Sequence, residues 1–516
     1  MEEGATQRPE DRGGLALAGV LFLTLAVRMI APEQPIVENY VGRQVPTAMV
    51  ARNLERGSGF LDPRLDVAPF PNRFLVEPPL YATAAVTFRK ATGCSLVASG
   101  RLVSAFGIVL ATWGLHGLVA ARSGRVAALL AAAALAAFPV TIRYGRAFQP
   151  DALMLGTLVS GLCCWDRFER EGRRGWLVAG FLLTATGLAL KVLSVFVLVP
   201  LWLVIIRKHR AWKTALVVAT LVPALLWYIH AASVLSVLEG SRASADNGAI
   251  WLRALDPRAL LRRETLGHVA WFLGVRAFTP LGPPLALAGL LLIDRAAPDR
   301  RLWLAWGASG LAAMAVVASK LHHEYYWLVL APAVAAGVGR ALAALARQGM
   351  RGRAAAVTLG LLLIVLDAGF SASTWRTPVE WRSLDRAAAA VRQGVPADAW
   401  IAAPEALLFA ADRRGCRIEF TTPAARRAAS EWAAQGLAAE AAAVDGPVAL
   451  LEFYRRRGAR YFADVTPEGA ETSRLALHEA VRSRYNVLID RAGLLLAALD
   501  ALDHGVTRPD HASRAR

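Results

Sequence analysis

The chain has 516 residues, of which 55% are hydrophobic and 19% charged, and its mean hydropathy is +0.39. Soluble domains carry roughly 25% charged residues, so these values exclude a disordered chain and an ordinary soluble enzyme; the apolar surplus needs lipid. The net charge of +18 does not mark a nucleic-acid partner, because residues 373–516 hold 20 Arg, no Lys and 18 acids, and the positive excess lies among the hydrophobic segments as in cationic membrane loops.

A membrane-crossing helix needs about 20 mostly apolar residues. About eleven such stretches follow in chain order, near 14–31, 101–120, 126–142, 151–165, 176–190, 192–206, 214–231, 276–293, 302–318, 325–345 and 354–372. They predict a mainly α, polytopic membrane helix bundle over residues 1–372. The stretch Trp176–Ile206 is read as two helices, which puts Lys191 at an outer turn and not in lipid. Acids before residue 14 argue against a signal peptide. Cys94, Cys163, Cys164 and Cys416 have neither metal-site nor disulfide-framework spacing.

Arginine placement orients the bundle with the N-terminus inside. The inner loops are short and basic: Arg122 with Arg125, residues 166–175, Arg207-Lys208-His209-Arg210, Arg295 with Arg300 and Arg301, and Arg347 with Arg351 and Arg353. An odd number of crossings then leaves residues 373–516 outside. Two outer loops are long, 32–100 and 232–269. In the first, Val45, Met49, Val50 and Leu54 share a helical stripe, and Pro46 suits a first turn. This predicts a helix lying on the membrane surface with Arg52 and Arg56 toward headgroups. In the second, residues 240–248 are polar and 252–263 amphipathic. After residue 372, strand-like runs at Trp400–Ala403, Arg417–Phe420, Val448–Phe453, Arg460–Phe462 and Asn486–Ile489 alternate with Ala-rich helical stretches. A small extracytoplasmic α/β domain is expected there.

Ionisable groups at outer helix ends carry the functional signal. Glu38, Arg43 and Gln44 follow the first span. Glu77 precedes Pro78-Pro79-Leu80-Tyr81, whose prolines fix an extended turn. Arg146 and Asp151 bracket Pro150, which starts the next helix. Lys191 and Lys320 are two of only five lysines against 53 arginines. Lys320 leads into His322, His323, Glu324, Tyr325 and Tyr326, where histidines and a carboxylate offer metal ligands or the rings form an interfacial belt. A divalent metal is thus an open question. Acids and cations on one membrane face suit transfer of a group from a lipid phosphate. The cations bind the phosphate and a carboxylate takes the acceptor proton. No phosphate-cradling Gly motif suggests a soluble nucleotide donor.

The series of landmarks resembles the bacterial GT-C membrane glycosyltransferases related to protein O-mannosyltransferases and the lipid A aminoarabinose transferase. It comprises Arg43-Gln44 with Thr47-Ala48, Ala51-Arg52-Asn53-Leu54, Glu77-Pro78-Pro79-Leu80-Tyr81, Gly145-Arg146 with Asp151, Leu190-Lys191, and His323-Glu324-Tyr325-Tyr326 before Ala331-Pro332. The resemblance covers roughly residues 15–345. It implies a polyprenyl-phosphate-linked sugar as donor, an envelope lipid, glycan or protein as acceptor, and chemistry on the outer face. It implies a first-loop acid as general base, for which Glu38 stands nearest, and Asp151 as a supporting acid. Arg43, Gln44, Glu77, Arg146, Lys191, Lys320, His323, Tyr325 and Tyr326 would bind substrate. The chain departs from the family in lacking an Asp-Glu pair in the first loop and in having Glu77 where relatives have Lys before Pro-Pro-Leu. Alternative functions are a lipid-linked glycan flippase or transporter, and an oligosaccharide ligase or polymerase. The scarcity of mid-helix charge and of internal repeats favours the transferase.

Overall fold

The apolar stretches form helices because lipid leaves backbone groups no partner but their own chain. The computed structural model describes residues 9–38, 41–206, 210–236, 256–292, 298–465, 472–491 and 493–501. Residues 207–209, 237–255 and 293–297, where the sequence reading expects basic inner loops and most of the second long loop, lie outside the described residues. Among the described residues, contacts divide the chain into two compact units. The first comprises 9–64, 73–236 and 256–376; the second comprises 65–72 and 377–501.

The first unit begins with α1 (Pro9–Arg28), α2 (Val41–Glu55), α3 (Leu80–Thr92), α4 (Leu96–Ser123), α5 (Arg125–Ala137), α6 (Pro139–Tyr144), α7 (Asp151–Glu171) and α8 (Arg174–Leu190). The backbone N–H of Ala98 donates to the Ser95 hydroxyl (3.1 Å), capping α4, and Gly124 at φ +86° ends it. The helical stretches Leu96–Ser123, Ala211–Leu235, Glu324–Ala346 and Gly349–Trp381 are long and apolar enough to cross a membrane. Shorter apolar helices occupy Gly13–Arg28, Arg125–Ala137, Arg174–Leu190, Val192–Ile205 and Gly282–Leu291. Several of the sequence-predicted spans are therefore broken near their ends. Glu324–Leu330 is a 3₁₀ turn that becomes a regular helix only at Ala331, where Pro332 fits the first turn. The helix α8 stops at Leu190, and Lys191 is extended (φ −163°, ψ 120°) before the 3₁₀ segment Val192–Val197.

The helices α4 and α7 meet at glycines. A Cβ on Gly156 would lie 2.1 Å from the Gly107 carbonyl oxygen, so only bare backbone fits. This close seam fixes α7 and with it Asp151 at its head. The surface-helix expectation for 45–54 is corrected. The helix α2 starts at Val41, holds Pro46 inside it, and every residue from Gln44 to Arg52 is buried. Arg52 therefore does not reach headgroups; the apolar stripe that suggested a membrane face packs within the protein.

In the second unit, β3 (Trp400–Ala403), β4 (Gly415–Arg417), β5 (Ala459–Asp464), β6 (Tyr485–Arg491) and β7 (Leu494–Ala501) form one sheet in the order β4-β3-β5-β7-β6. The strands β4, β3 and β5 run parallel; β7 is antiparallel to β5 and β6. The strands β1 (Arg64–Leu65) and β2 (Asn72–Arg73) of the first long loop pair with each other. Between them, Val67 bridges Gly415 in parallel sense. The Ala68 N–H donates to the Gly415 carbonyl (2.7 Å), and the Gly415 N–H donates to the Asp66 carbonyl (3.0 Å). A Cβ on Gly415 would lie 1.9 Å from the Ile401 oxygen. Leu450, Phe453, Tyr454, Phe462, Leu477 and Leu495 belong to the core of this unit. Two strand expectations are corrected. Val448–Phe453 lies in the helix Pro447–Arg456, which buries Leu450, Leu451, Phe453 and Tyr454 at helical spacing. The strand expected at Arg417–Phe420 sits at Gly415–Arg417.

Candidate functional site

Pro150 occupies the cap position of α7, and its carbonyl accepts from the Met154 N–H (2.9 Å), so Asp151 becomes the first helical residue. Its carboxylate is buried at 1% exposure. The Lys191 ammonium donates to Asp151 Oδ1, and Asp151 Oδ2 is buried with no hydrogen bond. The ammonium also lies 4.2 Å from the Tyr325 ring centroid and 4.9 Å from that of Tyr326, both on the 3₁₀ turn. His323 stacks on Tyr325 at 5.4 Å with 10° between the ring planes.

Arg43 on α2 pairs with Glu77, and its guanidinium carbon sits 5.4 Å from the Phe74 centroid. Arg43 is within electrostatic reach of Asp151, Tyr325 and Tyr326, and Glu77 is within reach of Lys191 and Asp151. Burial works against charge on Arg43, but Glu77 and then Tyr325 and Asp151 outweigh it, so the guanidinium pKa is raised. Burial pushes the Glu77 carboxyl up, with Asp151 adding to it, against the pull of Arg43 and Lys191. Burial, then His322, Lys320, Lys191 and Arg43, push His323 down to about 3, so its ring is neutral near pH 7. Two cations, two acids, a neutral imidazole and two tyrosines thus form one cluster.

Other predicted residues fall elsewhere. The Arg101 guanidinium donates to Glu38 and to the Gln34 carbonyl (2.7 Å). The Arg146 guanidinium donates to the Ala31 carbonyl (3.0 Å) and to Gln34 Oε1 (3.1 Å). The Gln44 amide donates to the Glu38 carbonyl (2.5 Å), and its oxygen accepts from the Phe148 N–H (2.8 Å). Glu38, Gln44 and Arg146 therefore brace the segment 31–38. Among the described residues none of the three hydrogen-bonds or ion-pairs with Arg43, Glu77, Asp151 or Lys191. Lys320 is half-buried beside His323 and forms no ion pair among the described residues. Glu324 accepts from Arg143 Nε (2.6 Å) and from Arg276 Nη2 (2.9 Å) and thereby ties the tyrosine turn down. Sequence reasoning missed Arg101 and Arg276 as structural cations, since each reads there as an ordinary interfacial arginine; Arg143, which beside Arg146 reads in sequence as part of a functional cluster, instead braces Glu324. Among the described residues no three His, Cys, Asp or Glu side chains gather as metal ligands.

Residues 76–234 match the Dolichyl-phosphate-mannose-protein mannosyltransferase family. The structure superposes on ArnT from Cupriavidus metallidurans bound to undecaprenyl phosphate with a TM-score of 0.61 and 14% identity, covering 95% of this chain and 98% of that one. The chain has the GT-C glycosyltransferase fold. AglB, the oligosaccharyltransferase of Archaeoglobus fulgidus in complex with an inhibitory peptide and a dolichol-phosphate, matches at TM-score 0.53 and 13% identity over 88% of this chain and 69% of that one. The mycobacterial arabinofuranosyltransferase AftD matches at 0.55 and 17% identity, over 98% of this chain and 42% of that one. No curated protein matches the sequence. The family match begins one residue before Glu77 and takes in Asp151 and Lys191. In this GT-C fold the charged cluster therefore joins the matched region to α2 and the tyrosine turn.

Proposed function

We propose that this protein transfers a sugar from a polyprenyl-phosphate donor to an envelope lipid, glycan or protein on the extracytoplasmic face of the inner membrane. The observation that carries this reading is the convergence of Arg43, Glu77, Asp151, Lys191, Tyr325 and Tyr326. Arg43 and Lys191 supply the positive charge that a phosphate needs at the bilayer edge. The acceptor hydroxyl attacks the anomeric carbon while the bond from that carbon to the phosphate oxygen breaks. Polyprenyl phosphate departs with the bonding electrons, and the hydroxyl proton goes to a carboxylate. We assign that carboxylate as Asp151. Each of the two acids keeps one buried oxygen without a partner, Asp151 Oδ2 and Glu38 Oε2, but Asp151 lies in the cluster with Lys191 and Arg43, whereas Glu38 is held by Arg101 outside it. Glu77 and His323 shape the two flanks of the cluster. A deletion strain should lack one sugar from an envelope lipid, glycan or protein and accumulate its polyprenyl-phosphate donor. Restoration by the wild-type gene but not by Asp151→Asn tests the reading. An envelope and lipid pool identical to the parent's would overturn it.

A further inference from the structure

Each cation of the cluster already holds a carboxylate: Lys191 holds Asp151 and Arg43 holds Glu77. The pairs are not independent, since Arg43 feels Asp151 and Glu77 feels Lys191. The Lys191 ammonium faces Asp151 on one side and the Tyr325 and Tyr326 rings on the other. The rings are neutral and hold a cation without neutralising it. An incoming anion therefore meets two cations whose charge is already spoken for, in two pairs with no net charge, with Lys320 beside His323 as a further cation at the border.

We infer that Lys191 is an electrostatic switch: it caps Asp151 while the site is empty and passes to the donor phosphate when that is bound, so that Asp151 is released as a base only in the loaded site. The inference rests on the proposed function above and assigns that site its order of events. Charge accounts for the direction of the exchange. A glycosyl phosphodiester carries one negative charge. As the anomeric carbon–oxygen bond breaks, the electron pair stays on the phosphate oxygen and its charge grows from about −1 toward −2. Over the same step Asp151 takes the acceptor proton and goes from −1 to neutral. Lys191 therefore loses its attraction to Asp151 as its attraction to the leaving phosphate rises. An interaction that strengthens along the reaction lowers the barrier, whereas one equal in ground and transition states does not.

The exchange has a consequence that turnover does not report. Asp151 and the lipid phosphate compete for Lys191, so removing the negative charge at 151 strengthens phosphate binding even as it abolishes chemistry. The probe is undecaprenyl phosphate, titrated into the purified full-length protein in detergent. Asp151→Asn is nearly isosteric and should bind it at least about tenfold tighter than wild type, the least expected of a close charge pair. Glu77→Gln should shift affinity the same way through Arg43, which keeps the test alive if one variant fails to fold. Lys191→Gln should bind more weakly, and adding Asp151→Asn to Lys191→Gln should restore little, since the competition runs through the ammonium. Unchanged or weaker binding by Asp151→Asn or Glu77→Gln overturns the switch, as does an equal gain from Asp151→Asn with and without Lys191. Absence of binding to the wild type would instead remove the lipid phosphate as ligand and the proposed function with it.

Discussion

At the scale of single residues, two buried acids of similar appearance have different surroundings. Glu38 is 2% exposed and faces Arg101. Glu38→Gln leaves that guanidinium buried without its counter-charge, which should cost about 3 kcal/mol of stability. A lowered melting temperature in detergent, with turnover per folded molecule near wild type, is expected. Asp151→Asn also removes a counter-charge, that of the largely buried Lys191, so its melting temperature should fall too, but it should in addition lower turnover per folded molecule by about 10²–10⁴-fold. The reverse pattern of turnover would return the base to Glu38. His323 gives a pH prediction. Its ring titrates at about 3 in the folded chain against an ordinary value near 6.5. Below about 6.5 the unfolded chain takes up a proton that the folded chain refuses, so stability falls as pH drops from about 6.5 toward 3. His323→Gln should show a shallower fall of melting temperature between pH 6.5 and 4.5 than wild type; parallel curves would refute the burial account. Residue type and depth made Arg43, Glu77, Asp151 and Lys191 legible in the sequence. The bracing partners were not, because Glu38 and Arg101 lie 63 positions apart and nothing local pairs them.

At the scale of elements, legibility followed how few structures a segment could adopt. Long apolar runs in lipid have helix as their solution, so α4, α7 and α8 appear where hydropathy puts them. Their ends are less predictable, because Lys191 and the Glu324–Leu330 turn leave helical geometry where their side chains reach Asp151, Arg143 and Arg276. In the second unit, the six-residue run Val448–Phe453 satisfies both strand and buried helix, and Gly446-Pro447 starts the helix. The continuous apolar run of β7 lacks the alternation that marks a half-buried strand; it lies inside the sheet between β5 and β6. The glycine seam of α4 and α7 offers an element-level test. Gly156→Leu must push its side chain into the Gly107 carbonyl, which should cost about 1–3 kcal/mol and displace Asp151 with its helix. Gly19→Leu on α1 meets nothing within 4 Å and serves as the neutral comparison. Equal melting temperatures for the two variants would show that the seam does not hold α7.

At the scale of the whole molecule, the side of the membrane that holds residues 377–501 can be predicted from connectivity as well as from charge. The arginine asymmetry predicts 32–100 to be an outer loop, and an odd number of crossings predicts the C-terminal part to be outer too, but that count depends on every span. The segment 65–72 supplies an independent argument. It leaves the first unit after Arg64, bridges Gly415 through Val67, stacks Phe70 against Trp400 at 5.1 Å, and returns at Arg73. A strand cannot be hydrogen-bonded into a sheet across a bilayer, so residues 65–72 and the sheet that they join lie on one side of it, whatever the number of helices between them. We predict that side to be extracytoplasmic, where polyprenyl-phosphate sugars would be used. A reporter active only outside the membrane should work both when fused after Arg516 and when inserted at Gly59, an exposed loop position with open space around it. Activity of a cytoplasm-only reporter at both points would invert the orientation and leave the pairing intact. Opposite results at the two points would mean that 65–72 does not pair with the Gly415 edge, and would undo the argument from connectivity.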